Sequence, residues 1–486
     1  MKKYIIFFII LLAGAKLYYW LGIFPNADEA YYWIWGRRPA LSYHDHPALQ
    51  ALVQGVFYKL FGRSLFVLRL PAIISTLIMG YLFFKLNKKL NLSSSSVVII
   101  LIIFMTPIYF VFTSFVWNDY LMITLSLTSV WFWLNYLHEI WLGKKGKTKD
   151  VLLAFFFLGL AGISKYNSVF IAIGVFSAVI SNKKLYPVFK DYRVYAGIIL
   201  AAVLISPIFI WNVQNSMGSF EFNIQQRILQ PFTEKFFRGN IWGYIGGSLA
   251  MVSPFILYAI IRIWKNPKEQ DSEDFIILYR ILAKHIFLIS TSVFLFLSIF
   301  ANVLYYWNIV AYLLIIPLAA DYLIRKKLAL ASLIYGAFVN VLIVFHFGVL
   351  PLTVLFEGAQ DRDGVHQYGW EQIGNEIKKT ESEYPSEFQL FTSSYRTSAL
   401  LSFELDDINI YAYSPRFDQY DYWTKEKTYK YKDALILTGD WKKMNNELKE
   451  ICENIQIKDT ITIYKWGYKI KDYYLYTAKI KDKYMH

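Results

Sequence analysis

Apolar residues run along this chain in long, nearly unbroken stretches, and the polar residues collect in the short gaps between them. A helix needs about 20 residues to cross a hydrocarbon core. Eleven stretches approach that length, near residues 4–24, 65–86, 95–115, 119–140, 151–165, 167–181, 195–213, 241–263, 282–300, 303–320 and 328–348. The fifth and sixth are short and meet at Lys165, where one bent span also fits. After about residue 350 the period changes. Phe388–Phe391, Ile408–Tyr413, Ala434–Leu437 and Ile461–Tyr464 predict strands, Gly369-Trp370-Glu371 opens a helix carrying Ile373 and Ile377, and a second helix is expected over Arg396–Phe403. The expected fold is mainly α: a polytopic helical membrane region of about 11 transmembrane helices over residues 1–349, followed by a small α/β domain over 350–486.

The gaps carry a second signal. Cytoplasmic loops hold an excess of Lys and Arg. With the N-terminus in the cytoplasm, five alternate gaps obey that rule: Lys85-Lys88-Lys89, Lys144-Lys145-Lys147-Lys149, Lys183-Lys184-Lys190-Arg193, Arg262-Lys265-Lys268 and Arg325-Lys326-Lys327. The tail then lies outside the membrane, and one span more or fewer would put the later basic gaps on the wrong side. Lys2-Lys3 ahead of the first run resembles a signal peptide, but no small-residue cleavage site follows and Tyr18 and Trp20 suit an interfacial anchor, so this run is expected to stay as a span.

Composition agrees, with 56% of residues hydrophobic, 19% aromatic and 18% charged. The net charge of +14 resides largely in the loops that orient helices, so nucleic acid is not expected as a partner. The single cysteine, Cys452, excludes an intrachain disulfide. The tail has no Gly-rich phosphate loop, zinc-type Cys pairing or soluble-enzyme nucleophile motif.

On this topology the unusual polar residues gather at the extracytoplasmic ends of the spans. Such a gathering marks a candidate site, because ionisable groups at a membrane boundary are costly unless they pair or line a cavity. Asp28 and Glu29 precede the aromatic belt Tyr31-Tyr32-Trp33. Partial desolvation there would raise the pKa of Asp28 and suit it as a general base toward an acceptor hydroxyl, while the plainer reading makes it a helix N-cap. In Tyr43-His44-Asp45-His46-Pro47, two imidazoles flank a carboxylate, which suits contact with a phosphate; a divalent metal on His44, Asp45 and His46 stays open. Arg37 and Arg38 offer further phosphate contacts or meet lipid headgroups. Asp119 starts one span and Lys165 ends another; either alone would snorkel or pair across helices, but together they supply a cation for a phosphate leaving group and an acid to position it or the sugar. Arg227 is a second candidate cation. Trp211-Asn212 and Trp307-Asn308 each join a stacking surface to an amide, as a sugar requires, although tryptophans are also common at membrane interfaces.

These strings, Asp28-Glu29-Ala30-Tyr31-Tyr32-Trp33, Tyr43-His44-Asp45-His46-Pro47, Ser164-Lys165-Tyr166, Pro207 with Trp211-Asn212, and Trp307-Asn308, occur in an order that resembles bacterial members of the dolichyl-phosphate-mannose protein mannosyltransferase superfamily, including the aminoarabinose transferases of lipid A. Phe417-Asp418-Gln419-Tyr420-Asp421-Tyr422-Trp423 in the tail resembles a segment of some members. The resemblance implies a C-type glycosyltransferase (GT-C) membrane fold. It also implies transfer of a sugar from a polyprenyl-phosphate donor to an extracytoplasmic lipid, glycan or protein, with inversion and without a nucleotide cofactor. On the resemblance Asp28 and Asp119 are catalytic and Asp45 and His46 approach the donor phosphate; Lys165 and Arg227 join the phosphate side by their charge and position. Glu29, Tyr32, His44, Tyr166, Asn212, Trp307 and Asn308 are the expected substrate contacts. The chain departs from the pattern at His46, where the aminoarabinose transferases have a lysine, at Ala48, where a second proline is frequent, and at Asn118, which replaces the usual proline before the acid. The competing class is a transporter or lipid-linked sugar flippase, for which charges near mid-membrane and on both faces would be expected.

Overall fold

The structure is a computed structural model that describes residues 2–92, 94–229, 239–265, 273–356, 361, 363–384, 386–424 and 428–485. Lys268, one of the basic loop residues, lies outside these. The chain forms two compact units, one made of Met1–Lys16, Leu41–Gln50 and Arg69–Val341, the other of Leu17–Ala40, Ala51–Leu68 and Leu342–His486.

Helices coincide with all eleven apolar stretches. The first half of the chain contains α1 (Lys2–Gly22), α2 (Ala27–Arg37), α3 (Leu49–Phe61), α4 (Leu65–Lys89), α5 (Ser96–Met105), α6 (Pro107–Phe112), α7 (Asn118–Trp141), α8 (Thr148–Gly162), α9 (Val169–Ile180) and α10 (Tyr192–Gln214). After a π-helix over Glu221–Leu229 come α11 (Ile241–Val252), α12 (Pro254–Lys265), α13 (Asp274–Leu297), α14 (Ile309–Arg325) and α15 (Ala329–Gly348). Among the described residues, 6 helices are long and apolar enough to cross a membrane, or up to 8 if two bent pairs each count as one span. The expected number of eleven is not reached by length and apolarity alone.

Two of the apolar stretches are broken for identifiable reasons. Thr106 is extended between α5 and α6, because the ring of Pro107 disfavours helical backbone at the residue before it. Between α11 and α12, Ser253 has φ +85° ahead of Pro254, and the pair bends by 95°. The loops between spans also fold. The Arg193 guanidinium holds the Asp191 carboxylate (2.8 Å), the Gly146 carbonyl (2.7 Å) and the Thr148 hydroxyl (3.0 Å), and Tyr136 donates to Asp191 at 2.7 Å. The hydrogen bond from Arg193 keeps the Asp191 carboxyl down at about 2.

In the second unit, α16 (Trp370–Ser382) and α17 (Tyr395–Leu405) accompany a five-stranded sheet of order β2-β1-β3-β5-β4. The strands are β1 (Phe388–Thr392), β2 (Ile410–Ala412), β3 (Asp433–Gly439), β4 (Cys452–Lys465) and β5 (Tyr468–Ile480). β1 pairs in parallel with β2 and β3, while β5 runs antiparallel to β3 and β4. The expected strands and helices of the tail are all present. Unforeseen are the length of β4 and the existence of β5, whose lysines and aspartate mask the alternation of buried Lys471, Tyr473, Leu475, Ala478 and Ile480.

The aromatic helix α2 belongs to this unit. Its apolar face packs on α17, with Trp33 edge-on to Phe403 and Tyr31 against Tyr395. On another side it meets α3 at backbone distance: a Cβ on Gly36 would stand 2.5 Å from the Ala51 carbonyl oxygen, and one on Gly55 2.3 Å from that of Gly36. Only glycine lets two helices approach so closely.

Candidate functional site

In the first unit the Tyr43–Pro47 stretch is a tight buried turn, closed by a bridge between Ser42 and Pro47 and by the Tyr43 N–H on the His46 carbonyl at 3.2 Å. Tyr43, His44 and Asp45 are buried and His46 is half-buried. The π-helix docks on this turn: Asn223 donates to the Asp45 carbonyl at 3.2 Å, and the Phe222 ring lies 4.8 Å from the His44 ring. Arg227 stands on the same helix, its guanidinium 4.2 Å from the Phe222 ring centre and one Nη 3.4 Å from the Asn223 amide oxygen.

The same helix leads to the second group. Ser219, just before it, shares a hydrogen bond of 3.0 Å with the Tyr166 hydroxyl. Beside Tyr166, the Lys165 ammonium sits between both oxygens of Asp119, at 2.8 and 2.7 Å, with the Tyr306 ring 5.2 Å away. Both charges are almost fully buried, with 8% and 3% of their side chains exposed. Phe112, Trp117 and Tyr306 form an aromatic group next to this pair, with centroid separations of 5.0 to 6.4 Å. Asn118 supplies its carbonyl to the Ser164 hydroxyl at 2.9 Å, which ties the start of α7 to the end of α8. The Asp45 carbonyl, Asn223, Arg227, Ser219 and Tyr166 thus form one chain of hydrogen bonds, with His44 packed on it through Phe222 and the Lys165–Asp119 pair following Tyr166 in sequence.

The two tryptophan–asparagine pairs support that network. The Asn212 amide oxygen caps the chain at the Phe220 N–H (3.1 Å), and its NH2 returns to the Ile208 carbonyl (2.9 Å). Asn308 is held by the Ser290 hydroxyl at 2.6 Å and donates to Thr291 at 3.0 Å. The half-buried Trp307 offers its carbonyl to the Asn167 amide at 2.8 Å. Among the described residues no group of three or more His, Cys, Asp or Glu side chains is placed to hold a metal ion, so the triplet His44-Asp45-His46 gathers no set of ligands.

Asp28, Glu29 and Tyr32 belong to the second unit. Capping of α2 falls to Asn26, whose side-chain oxygen accepts from the N–H groups of Asp28 and Glu29, both at 3.0 Å. Glu29 completes a capping box by accepting from the Asn26 N–H at 3.1 Å, and it also accepts from the Tyr19 hydroxyl at 3.3 Å. The plainer reading of Asp28 as N-cap is therefore replaced: the cap lies two residues earlier, and the half-buried Asp28 carboxylate is not needed for it. Arg37 and Arg38 face the tail, Arg37 on Asp406 at 2.8 Å and Arg38 on the Ile408 carbonyl at 2.8 Å.

Near Asp28 stand groups that the linear chain does not single out. Arg396 pairs with Asp363 at 2.7 Å; burial works against its charge, but Tyr395, Asp28 and Asp363 outweigh burial and hold the guanidinium protonated more firmly than usual. Lys471, 5% exposed, has its ammonium 3.4 Å from the His366 Nε2. Burial pushes Lys471 down to about 8, and burial with the Lys471 and Arg396 charges lowers His366 well below its usual range. Neither residue lies in a motif; Lys471 comes from β5 and His366 from a short 3-10 turn over Gly364–Gln367, and folding alone brings them beside Arg396.

Residues 45–211 match a family model described as Dolichyl-phosphate-mannose-protein mannosyltransferase. No curated protein sequence matches the chain. Among solved structures, ArnT from Cupriavidus metallidurans in the apo state is similar at a TM-score of 0.62 and 12% identity, over 98% of each chain. The same protein bound to undecaprenyl phosphate is similar at a TM-score of 0.62 and 13% identity, again over 98% of each chain. At such identities the likeness is one of fold: a multi-pass helical membrane region with a small C-terminal sheet domain. The chain therefore resembles the protein mannosyltransferases in sequence over residues 45–211, a stretch that starts within the turn and includes the Lys165–Asp119 pair, and it shares the fold of ArnT along nearly its whole length.

Proposed function

We propose that this protein transfers a sugar from a polyprenyl-phosphate donor to an extracytoplasmic acceptor, with inversion at the anomeric carbon. The observation that carries the reading is the buried Lys165–Asp119 pair, beside a hydrogen-bonded chain from the Asp45 carbonyl through Asn223 and Ser219 to Tyr166, in a chain that shares the fold of a protein bound to undecaprenyl phosphate. In this reading residues 1–349 are the transferase domain, the N-terminus is cytoplasmic and residues 350–486 lie outside.

In the proposed reaction the bond between the anomeric carbon and the phosphate oxygen breaks as the acceptor oxygen bonds to that carbon. The polyprenyl phosphate leaves with the electron pair, and the acceptor proton passes to a carboxylate, the part for which the sequence offers Asp28. Lys165, Arg227 and His46 offset the charge that grows on the leaving phosphate, a role that in a water-poor site is worth several kcal/mol. Asp119 holds Lys165 in place, and Asp45 orients the turn that presents His46. His44, Tyr166, Asn212, Trp307 and Asn308 shape the site around the sugar, and the sequence adds Glu29 and Tyr32 as substrate contacts. An acceptor that is itself a phosphate would need no base, and Asp28 would then orient it.

The test uses purified full-length protein with a radiolabelled polyprenyl-phosphate sugar and a membrane extract as acceptor. Asp28→Asn is expected to abolish transfer while the protein keeps its thermal midpoint. Wild-type turnover in Asp28→Asn removes Asp28 from the chemistry, and no transfer by the wild type from any such donor removes the reading itself in favour of transport.

A further inference from the structure

We infer that the tip of the β4–β5 hairpin is a membrane-docking element that inserts into the interfacial layer of the phospholipid bilayer. The inference rests on the tail's geometry and the membrane spans, and not on the proposed chemistry. The hairpin turns through two residues, Trp466 and Gly467, between the paired strand ends Lys465 and Tyr468. Both turn residues have positive φ, +51° and +82°. A turn of this kind selects Asn-Gly or Gly-Gly, because bulky side chains rarely adopt left-handed backbone. A tryptophan there works against the turn, so its reason lies in what the side chain meets.

The side chains at the tip are large, aromatic and uncovered. Trp466 is 67% exposed, Tyr464 62% and Tyr468 45%, with Lys465 exposed between them. Tyrosine and tryptophan flanked by lysine is the composition of the belt that membrane proteins place at headgroup level, where a ring can bury its body and keep its polar edge wet. The location agrees with the composition. The Trp466 ring lies 6.4 Å from Phe345, in the last turn of α15, and the end of α15 is tied to α1 by the Tyr18 hydroxyl on the Gly348 carbonyl at 3.1 Å. Both helices are candidate spans, so their ends mark the edge of the hydrocarbon. A cleft of about 410 Å3 separates hairpin from helix ends, lined by Ile23, Phe24, Phe347 and Gly348 on one side and Ile463, Tyr464 and Lys465 on the other. The tip thus stands beside the ends of two candidate spans, across an aromatic-lined cleft.

The experiment places a bimane fluorophore at Lys465→Cys in the full chain, reconstituted into vesicles of phosphatidylethanolamine and phosphatidylglycerol. Cys452 is buried and stays unlabelled, and Glu447→Cys, exposed on the same domain, is the aqueous reference. At 465 the label is expected to emit further to the blue, to be quenched by lipids brominated near the headgroup, and to be several-fold less open to iodide than at 447. Adding Trp466→Asn, which suits the turn, is expected to keep the thermal midpoint while returning iodide access to the reference level. Equal iodide access at 465 and 447 overturns the proposal. Protection from iodide without quenching by brominated lipid also overturns it, in favour of a contact with another protein copy.

Discussion

At the scale of single residues, the Lys165–Asp119 pair has to be separated from its own structural role. Removing one member of a buried pair strands the other charge and costs about 3–5 kcal/mol, whereas replacing both by apolar groups is often neutral. Lys165→Met and Asp119→Leu alone are therefore expected to lower stability by that amount, and the double variant to recover most of it, read by thermal unfolding in detergent. Transfer activity should stay lost in the stable double variant; recovered activity would reduce the pair to a strut. Lys471 makes a different prediction. Its amine titrates near 8 in the fold and near the usual 10.5 when unfolded, so between those values the unfolded chain binds more protons and stability rises with pH. Lys471→Met is expected to remove this rise and to be more stable at pH 7 by on the order of 2–3 kcal/mol. A thermal midpoint that changes equally with pH in both proteins would contradict it.

Among the elements, α2 is the one most sharply specified, by its cap, its aromatic face and its contact with α3. Gly36→Ala puts a methyl group inside the backbone of α3 and is expected to cost about 1–3 kcal/mol. A thermal midpoint equal to wild type would mean that the two helices can part without loss. How far such elements can be read in advance depends on what stabilises them. Long apolar runs such as 4–24 and 328–348 declare themselves because lipid asks only for length and apolarity, and they match α1 and α15 closely. The bend at Ser253–Pro254 is hidden, since the run is apolar on both sides of it. Helix α3 stands out poorly because its faces are inverted, with Gln50 and Gln54 buried and Leu52, Val56 and Leu60 open. The site shows the same division. Asp119 and Lys165 sit at the ends of runs and Asp45 stands between two histidines, so all three are conspicuous, whereas Arg396 meets Asp28 and Lys471 meets Arg396 only through tertiary folding, and Asn26 is a small polar residue like many others.

For the whole molecule the open quantity is which face of the membrane each loop occupies. An impermeant maleimide applied to intact cells is expected to label Glu447→Cys but not Lys144→Cys; the reverse pattern would invert the orientation and take the candidate site to the cytoplasm. The native chain provides a silent background, because the Cys452 thiol is buried and pushed up to about 12. The second unit also has a history in time. It joins α2 to α17, elements about 360 residues apart, and ribosomes add roughly 5–20 residues per second. For tens of seconds after α2 emerges, Tyr31 and Trp33 have no α17 to cover them, and an uncovered aromatic helix beside a membrane invites misassembly. Every molecule passes through that interval, so the yield of correctly made protein depends on how well α2 is kept from other contacts until the tail arrives.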